Sequence, residues 1–189
     1  MFYRIMYSCI QAWRYRKLLA NYATDFNLQI ASVVDLSPEI LFKNGIKGLI
    51  IDFDGVLAAY AMNQPVVEAA SWLRLCCDVF SPGRIFIFSN KPTLIRKQYF
   101  TENFKGINFI IAKHKKPFPN SILHILQDTK LLPEELLMLD DRIGTGILAA
   151  AISNVSACLI TKPYIDYTAN PIRERLYILV RRFEQWLFS

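Results

Sequence analysis

Lys47-Gly-Leu-Ile-Ile-Asp-Phe-Asp-Gly-Val-Leu57 is the stretch that decides the fold. Leu49, Ile50 and Ile51 form an apolar run that stops at Asp52, and Asp54 and the turn residue Gly55 follow at once. A short apolar run closed by a turn signal reads as a strand buried on both faces of a parallel sheet. In open α/β sheets, ligands bind outside the carboxyl ends of such strands. Asp52 and Asp54 therefore fall where a sheet presents its chemistry. Two carboxylates this close repel unless a proton or cation lies between them, which makes a divalent metal the natural third party. Asp and Gly are also ordinary turn residues, so the doublet alone fits a plain turn equally well.

The pattern repeats along the chain. Arg84-Ile-Phe-Ile-Phe-Ser89, Asn108-Phe-Ile-Ile-Ala112, Leu136-Leu-Met-Leu-Asp140 and Ser156-Ala-Cys-Leu-Ile160 read as further strands, after a first strand over 46–51. Helical patterns lie between them, over 65–79, from Pro92 to about Phe104, around 120–130 and over 147–151. A last helix runs from about Pro171 to Leu187. Ser37 before Pro38 is a helix-start signal, and Asn44-Gly45 closes that short helix. Strands alternating with helices predict a three-layer α/β/α, Rossmann-like parallel sheet covered on both faces.

The chain has 189 residues, 53% of them hydrophobic, which suits one sizeable core rather than two domains. Residues 1–27 read as a basic, aromatic extension, largely helical, and 28–189 as a single domain ending in an amphipathic helix. No run approaches the ~20 apolar residues of a spanning helix. Arg14, Arg16 and Lys17 interrupt the region a signal peptide would keep apolar. Cys9, Cys76, Cys77 and Cys158 show no metal or disulfide spacing, so reduced thiols in a cytoplasmic setting fit. The 22 Lys and Arg outnumber the 16 Asp and Glu, and part of the excess sits near the two ends among aromatic residues. Such ends suit an anionic membrane surface, peripherally at an inner membrane face, or packing on the domain or a second copy. No recognition motif supports a nucleic-acid partner.

Four polar elements follow four successive strands: Asp52 with Asp54, Ser89-Asn90, Lys116, and Asp140-Asp141. Together they resemble the haloacid dehalogenase (HAD) superfamily of phosphatases. Asp52-Phe-Asp54-Gly-Val56 is similar to its first motif, Phe88-Ser89-Asn90 to the second, Lys116-Pro117 to the third, and Asp140-Asp141-Arg142-Ile-Gly-Thr-Gly146 to the fourth. Gly45-Ile-Lys-Gly48 and the residues around Ser89 and Lys116 resemble the YqeG-like, phosphatidylglycerophosphatase subgroup of subfamily IIIA. The likeness covers roughly residues 28–175.

The resemblance implies a catalytic nucleophile at Asp52, an acid/base at Asp54, and a charge-offsetting Lys116. It implies phosphate binding by Ser89, Asn90 and Lys116. Its Mg²⁺ cofactor would be held by Asp52, the Asp54 backbone carbonyl and Asp141. Such roles suit phosphoryl transfer, which needs an in-line nucleophile, a metal and fixed donors. The usual fourth motif is Gly-Asp-x-x-x-Thr-Asp; here Asp140 replaces the glycine and Gly146 the second acid. Strand alternation places Asp140 on the side opposite Asp141. Lys91 stands where the subgroup often has Asn, adding a positive charge near the phosphate.

The intervals from Asp54 to Ser89 and from Ser89 to Lys116 are largely filled by one helix each, leaving no room for a cap domain. An open site suits a bulky or surface-bound substrate better than an enclosed metabolite. The leading reading is a Mg²⁺-dependent phosphomonoesterase with a membrane lipid phosphate, phosphatidylglycerophosphate, as the implied substrate. A soluble sugar or nucleotide phosphate is the rival substrate. A degenerate protein kept as a binding module is the reading from another class, and self-association stays open.

Overall fold

In the computed structural model, which describes residues 2–189, six parallel strands form one sheet in the order β1-β6-β5-β2-β3-β4. The strands are β1 (Gln29–Ile30), β2 (Gly48–Ile51), β3 (Ile85–Ile87), β4 (Asn108–Phe109), β5 (Leu136–Asp140) and β6 (Ser156–Ile160). The helices are α1 (Phe2–Arg14), α2 (Arg16–Thr24), α3 (Pro38–Lys43), α4 (Val67–Phe80), α5 (Leu94–Asn103), α6 (Asn120–Thr129), α7 (Leu148–Ile152) and α8 (Pro171–Phe188). β1 is an edge strand of two residues with no apolar run to announce it. The N-terminal helical pattern divides at Tyr15 into α1 and α2. Ser37 caps α3 as its sequence suggests, accepting from the Ile40 N–H at 3.2 Å.

Alternation along the central strands sorts the core into two layers. Leu49, Ile51, Ile85, Ile87, Leu137 and Leu139 face α4 and α5, where Ala69, Trp72, Leu73, Cys76 and Phe100 are buried against them. Ile50, Phe86, Leu136 and Met138 face the other way, onto Leu19 and Tyr22 of α2 and onto α6 and α7. Fully burying one such side chain contributes about 1.5–3 kcal/mol relative to leaving it exposed. These two faces therefore hold the sheet rigidly between helical layers, as the three-layer expectation requires.

The register fixes where the site lies. Ile51 pairs with Leu139 on one side and with Ile87 on the other, so β2, β5 and β3 end level with one another. At or just beyond those ends lie Asp52, Asp140 (the last residue of β5) with Asp141, and Phe88-Ser89. Between β2 and β3 the chain makes a loop and α4; between β3 and β4 it makes α5 and short connections.

Candidate active site at the carboxyl edge of the sheet

Asp52 leaves β2 with its N–H still donating to the Leu139 carbonyl at 2.9 Å, which anchors it beside β5. Lys116 comes from the loop after β4, and its ammonium is buried among the acids: Nζ lies 2.9 Å from Asp52 Oδ1 and 2.5 Å from Asp140 Oδ2. Asn90 accepts the Lys116 N–H at 2.7 Å, so it ties the loop after β3 to the loop that carries the lysine. Ligand oxygens of Asp52, Asp140 and Asp141 all lie within 4.8 Å of one another.

Asp54 points to a different set of partners. Arg96, buried on α5, grips its carboxylate with Nη2 at 2.7 Å from Oδ1 and Nη1 at 3.0 Å from Oδ2. Ser89 donates to the same Oδ2 at 3.1 Å and accepts the Lys91 N–H at 3.0 Å. The Asp54 side chain is therefore held by Arg96 and Ser89 and is not part of the three-acid cluster. Gly55 turns the chain between them at φ +90°, a conformation that favours glycine, and an added Cβ would collide with the Asp141 carboxylate.

Asp140 corrects an expectation. Alternation assigned it to the side away from Asp141, yet both carboxylates reach the same cluster. The strand ends at Asp140, and there the chain turns: Asp140 Oδ1 accepts the Arg142 N–H at 2.9 Å. A period of two holds only inside an extended strand. Asp141 is held by Arg181 of α8, whose Nε and Nη2 each lie 2.5 Å from Oδ2. Arg142 pairs with Glu184 of the same helix, with Nη2 at 2.5 Å from Oε1.

Burial pushes the Asp52 carboxyl well above its usual range; Lys116 opposes this, while Asp140, Asp141 and Asp54 reinforce it. Asp141 is raised to about 6 by burial against the pull of Arg181, with Asp140 adding to the rise. Burial works against the charged Lys116, but Asp140 and Asp52 outweigh it, and its pKa rises. Three carboxylates thus press on one another with Lys116 and Arg181 as the cations in contact. Asp52 Oδ1 is buried and accepts no well-aligned hydrogen bond, although Lys116 lies 2.9 Å away. An all-oxygen donor set with surplus negative charge fits a hard divalent cation such as Mg²⁺.

A cavity of about 220 Å³ opens on this cluster, lined by Asp52, Asp54, Asn90, Lys91 and Asp141, with Tyr177 and Arg181 as one wall. The sequence model of the family described as "Mitochondrial PGP phosphatase" matches residues 17–164. The chain belongs to that family. It is accordingly a HAD-like phosphatase and a phosphoric monoester hydrolase. No curated protein matches it. Among solved structures it is similar to an uncharacterized protein from Listeria monocytogenes serotype 4b, at 15% identity and a TM-score of 0.49. The likeness covers 71% of this chain and 98% of that one.

Family membership draws attention to what the motifs leave out: Arg96, Arg181, Arg142 and Glu184. Arg96 stands one turn before buried Phe100, a charge on the inner face of α5, which is a signal of sorts. Exposed Leu94 and Ile95 beside it obscure that face. Arg181 lies in a basic stretch that reads as solvated surface, and only the packing of α8 reveals its partner.

Proposed function

We propose that this phosphatase hydrolyses a membrane lipid phosphate, phosphatidylglycerophosphate, through an aspartyl-phosphate intermediate, with Mg²⁺ as its cofactor. Asp52 is the nucleophile: its oxygen bonds to phosphorus as the ester P–O bond breaks. Asp54 gives its proton to the leaving alcohol, then removes one from the water that attacks phosphorus and frees Asp52. Arg96 and Ser89 aim Asp54 for both steps. Lys116 offsets charge gathering on the phosphoryl oxygens, Asn90 lines the cavity they enter, and Ser89, whose hydroxyl donates to Asp54 before substrate binds, would turn to a phosphoryl oxygen. Asp52, Asp141 and the Asp54 backbone carbonyl would hold Mg²⁺, which supplies charge neutralisation on the phosphoryl group.

The observation that carries the lipid reading is that both terminal helices are inside out. α8 turns Glu174, Tyr177, Arg181 and Glu184 toward the domain and exposes Ile172, Leu176, Leu179, Phe183 and Trp186. α1 likewise turns Arg4, Tyr7, Ser8 and Gln11 inward and exposes Tyr3, Met6, Ile10 and Trp13, and both tryptophans are 70% exposed. Each exposed row follows the i, i+3, i+4 spacing of one helical stripe. Exposed Arg14, Arg16, Lys17, Arg173, Arg175 and Arg182 flank these stripes. Apolar stripes edged with basic residues are how helices lie in an anionic bilayer interface. Among the described residues no helix is long and apolar enough to cross a membrane. A mostly apolar groove of about 440 Å³ between α1 and α8 borders Lys116 and Thr145, so an uncapped site would open beside the bilayer.

Phosphate release from vesicles of phosphatidylglycerophosphate, compared with soluble sugar and nucleotide phosphates, tests this reading. Vesicle substrate should be preferred, with Mg²⁺ required, and Asp52→Asn should abolish turnover. Faster turnover of soluble esters with no vesicle binding would discard the lipid substrate. Trp13→Glu with Trp186→Glu should reduce sedimentation with anionic vesicles while leaving soluble-ester hydrolysis unchanged.

A further inference from the structure

Asp140 and Gly146 face each other across the turn that follows β5. Asp140 is fully buried, with Oδ2 on Lys116 and Oδ1 on the Arg142 N–H. Gly146 lies in the single π-helical turn Ile143–Ile147 and is also buried. A Cβ on Gly146 would overlap the carboxylate and the Cβ of Asp140. Gly146 is not among the residues with positive φ, so its backbone does not demand glycine. Space alone does, and Asp140 fills that space.

The fourth motif this chain resembles has the reverse arrangement, a glycine at the position of Asp140 and an acid at that of Gly146. We propose that positions 140 and 146 are a reciprocal pair serving one carboxylate slot beside Lys116. The slot takes its acid from either position but not both, and this chain fills it from 140. Asp140 is then a positioning residue. It holds the lysine ammonium 2.9 Å from the nucleophile and contributes the third carboxylate of the metal-fitting cluster. Gly146 is the concession that makes room for it. The fourth motif is thereby rearranged, not degenerate.

The test is a swap in the full chain: Asp140→Gly, Gly146→Asp, and the two combined. Asp140→Gly leaves Lys116 buried with one acid fewer, so Tm should fall by roughly 10 °C. Calorimetric Mg²⁺ affinity should fall about 10–100-fold. Gly146→Asp should be at least as unstable, because two carboxylates contest one slot. The combined variant should recover most of the lost Tm and of the lost Mg²⁺ affinity, a departure from additivity that only shared space produces. A combined variant as unstable as the worse single one overturns the pair. So does one that refolds without regaining Mg²⁺ affinity, since the slot would then be packing only. The positioning role in catalysis rests on the phosphatase chemistry proposed above, but the Tm and Mg²⁺ measurements do not. Recovery of both in a protein that never releases phosphate would uphold the pair while rejecting the proposed chemistry.

Discussion

Arg96→Met gives the sharpest prediction about Asp54, the acid/base residue of the proposed mechanism. The substitution keeps the aliphatic stem and removes a guanidinium that makes two bonds to Asp54, at 2.7 and 3.0 Å, and donates to the carbonyls of Met62 and Lys91. The Arg96 side chain is 3% exposed and that of Asp54 17%, so the pair lies between an exposed and a fully buried bridge. Exposed pairs are worth up to about 1 kcal/mol, and breaking a buried one costs about 3–5. A loss of about 2–3 kcal/mol follows here, because water can reach Asp54 from the cavity side. For a chain of this length that lowers Tm by roughly 5–10 °C. The catalytic effect should be larger. Acid/base groups contribute about 10²–10⁴-fold, and an unaimed Asp54 forfeits much of that, so kcat should fall at least tenfold. KM should change little, because Asp54, not the substrate, is what Arg96 holds. Tm by scanning calorimetry and steady-state phosphate release check both, with Asp54→Asn and the double variant closing the cycle. If Arg96→Met lowers kcat as much in the Asp54→Asn background as in the native one, Arg96 does not act through Asp54 and the reasoning fails.

Mg²⁺ at about a hundred times its Kd should stabilise the protein by about 2.7 kcal/mol, a Tm rise of roughly 5–10 °C that chelation reverses; an unchanged Tm would leave the acid cluster without a metal. Arg181→Gln removes the donors that hold Asp141 Oδ2 and should weaken Mg²⁺ binding about 10–100-fold; unaltered affinity would reduce α8 to a wall. Glu174→Gln should raise Tm slightly near pH 8, because burial raises the pKa of this glutamate and Oε2 has no hydrogen-bond partner among the described residues. A carboxyl with a raised folded-state pKa favours folding while protonated and loses that contribution as pH climbs through the raised value, so the gain should vanish below about pH 4.

The sheet was legible where the physics is local. Leu49-Ile50-Ile51 and Leu136 to Leu139 are buried on both faces and read as continuous apolar runs. β1 escaped notice because its pairing with β6, not its composition, makes Gln29–Ile30 a strand. The ladders of β3 and β4 also stop earlier than their apolar runs, at Ile87 and Phe109. The four motif elements were legible in order, and the sheet brings them to one edge. The misplacement of Asp140 came from applying strand periodicity one residue past the strand. The charge partners Arg96, Arg181 and Glu184 were illegible for a different reason. Their pairing depends on how α5 and α8 pack against the sheet edge, and no spacing within a helix encodes that.

The terminal helices look like ordinary amphipathic elements until their orientation is known, and that orientation follows from charge. Burying the inner face of α8 places Arg181 on Asp141 and Glu184 on Arg142, both beside the crowded acids. Had α8 buried its apolar stripe instead, Asp141 would sit in a carboxylate cluster without its guanidinium, and Arg142 would be buried unpaired. Leaving these two buried charges without their partners would cost about 6–10 kcal/mol, of the same order as the roughly 8–15 kcal/mol that burying the five-residue stripe would return. The ion pairs at the site thus offset much of what the exposed face of α8 forgoes. A helix whose polar residues are committed to the acid cluster has only its apolar stripe left for the surroundings. The proposed lipid substrate supplies a matching environment, because at an anionic bilayer interface such a stripe, edged by arginines, ceases to be a liability.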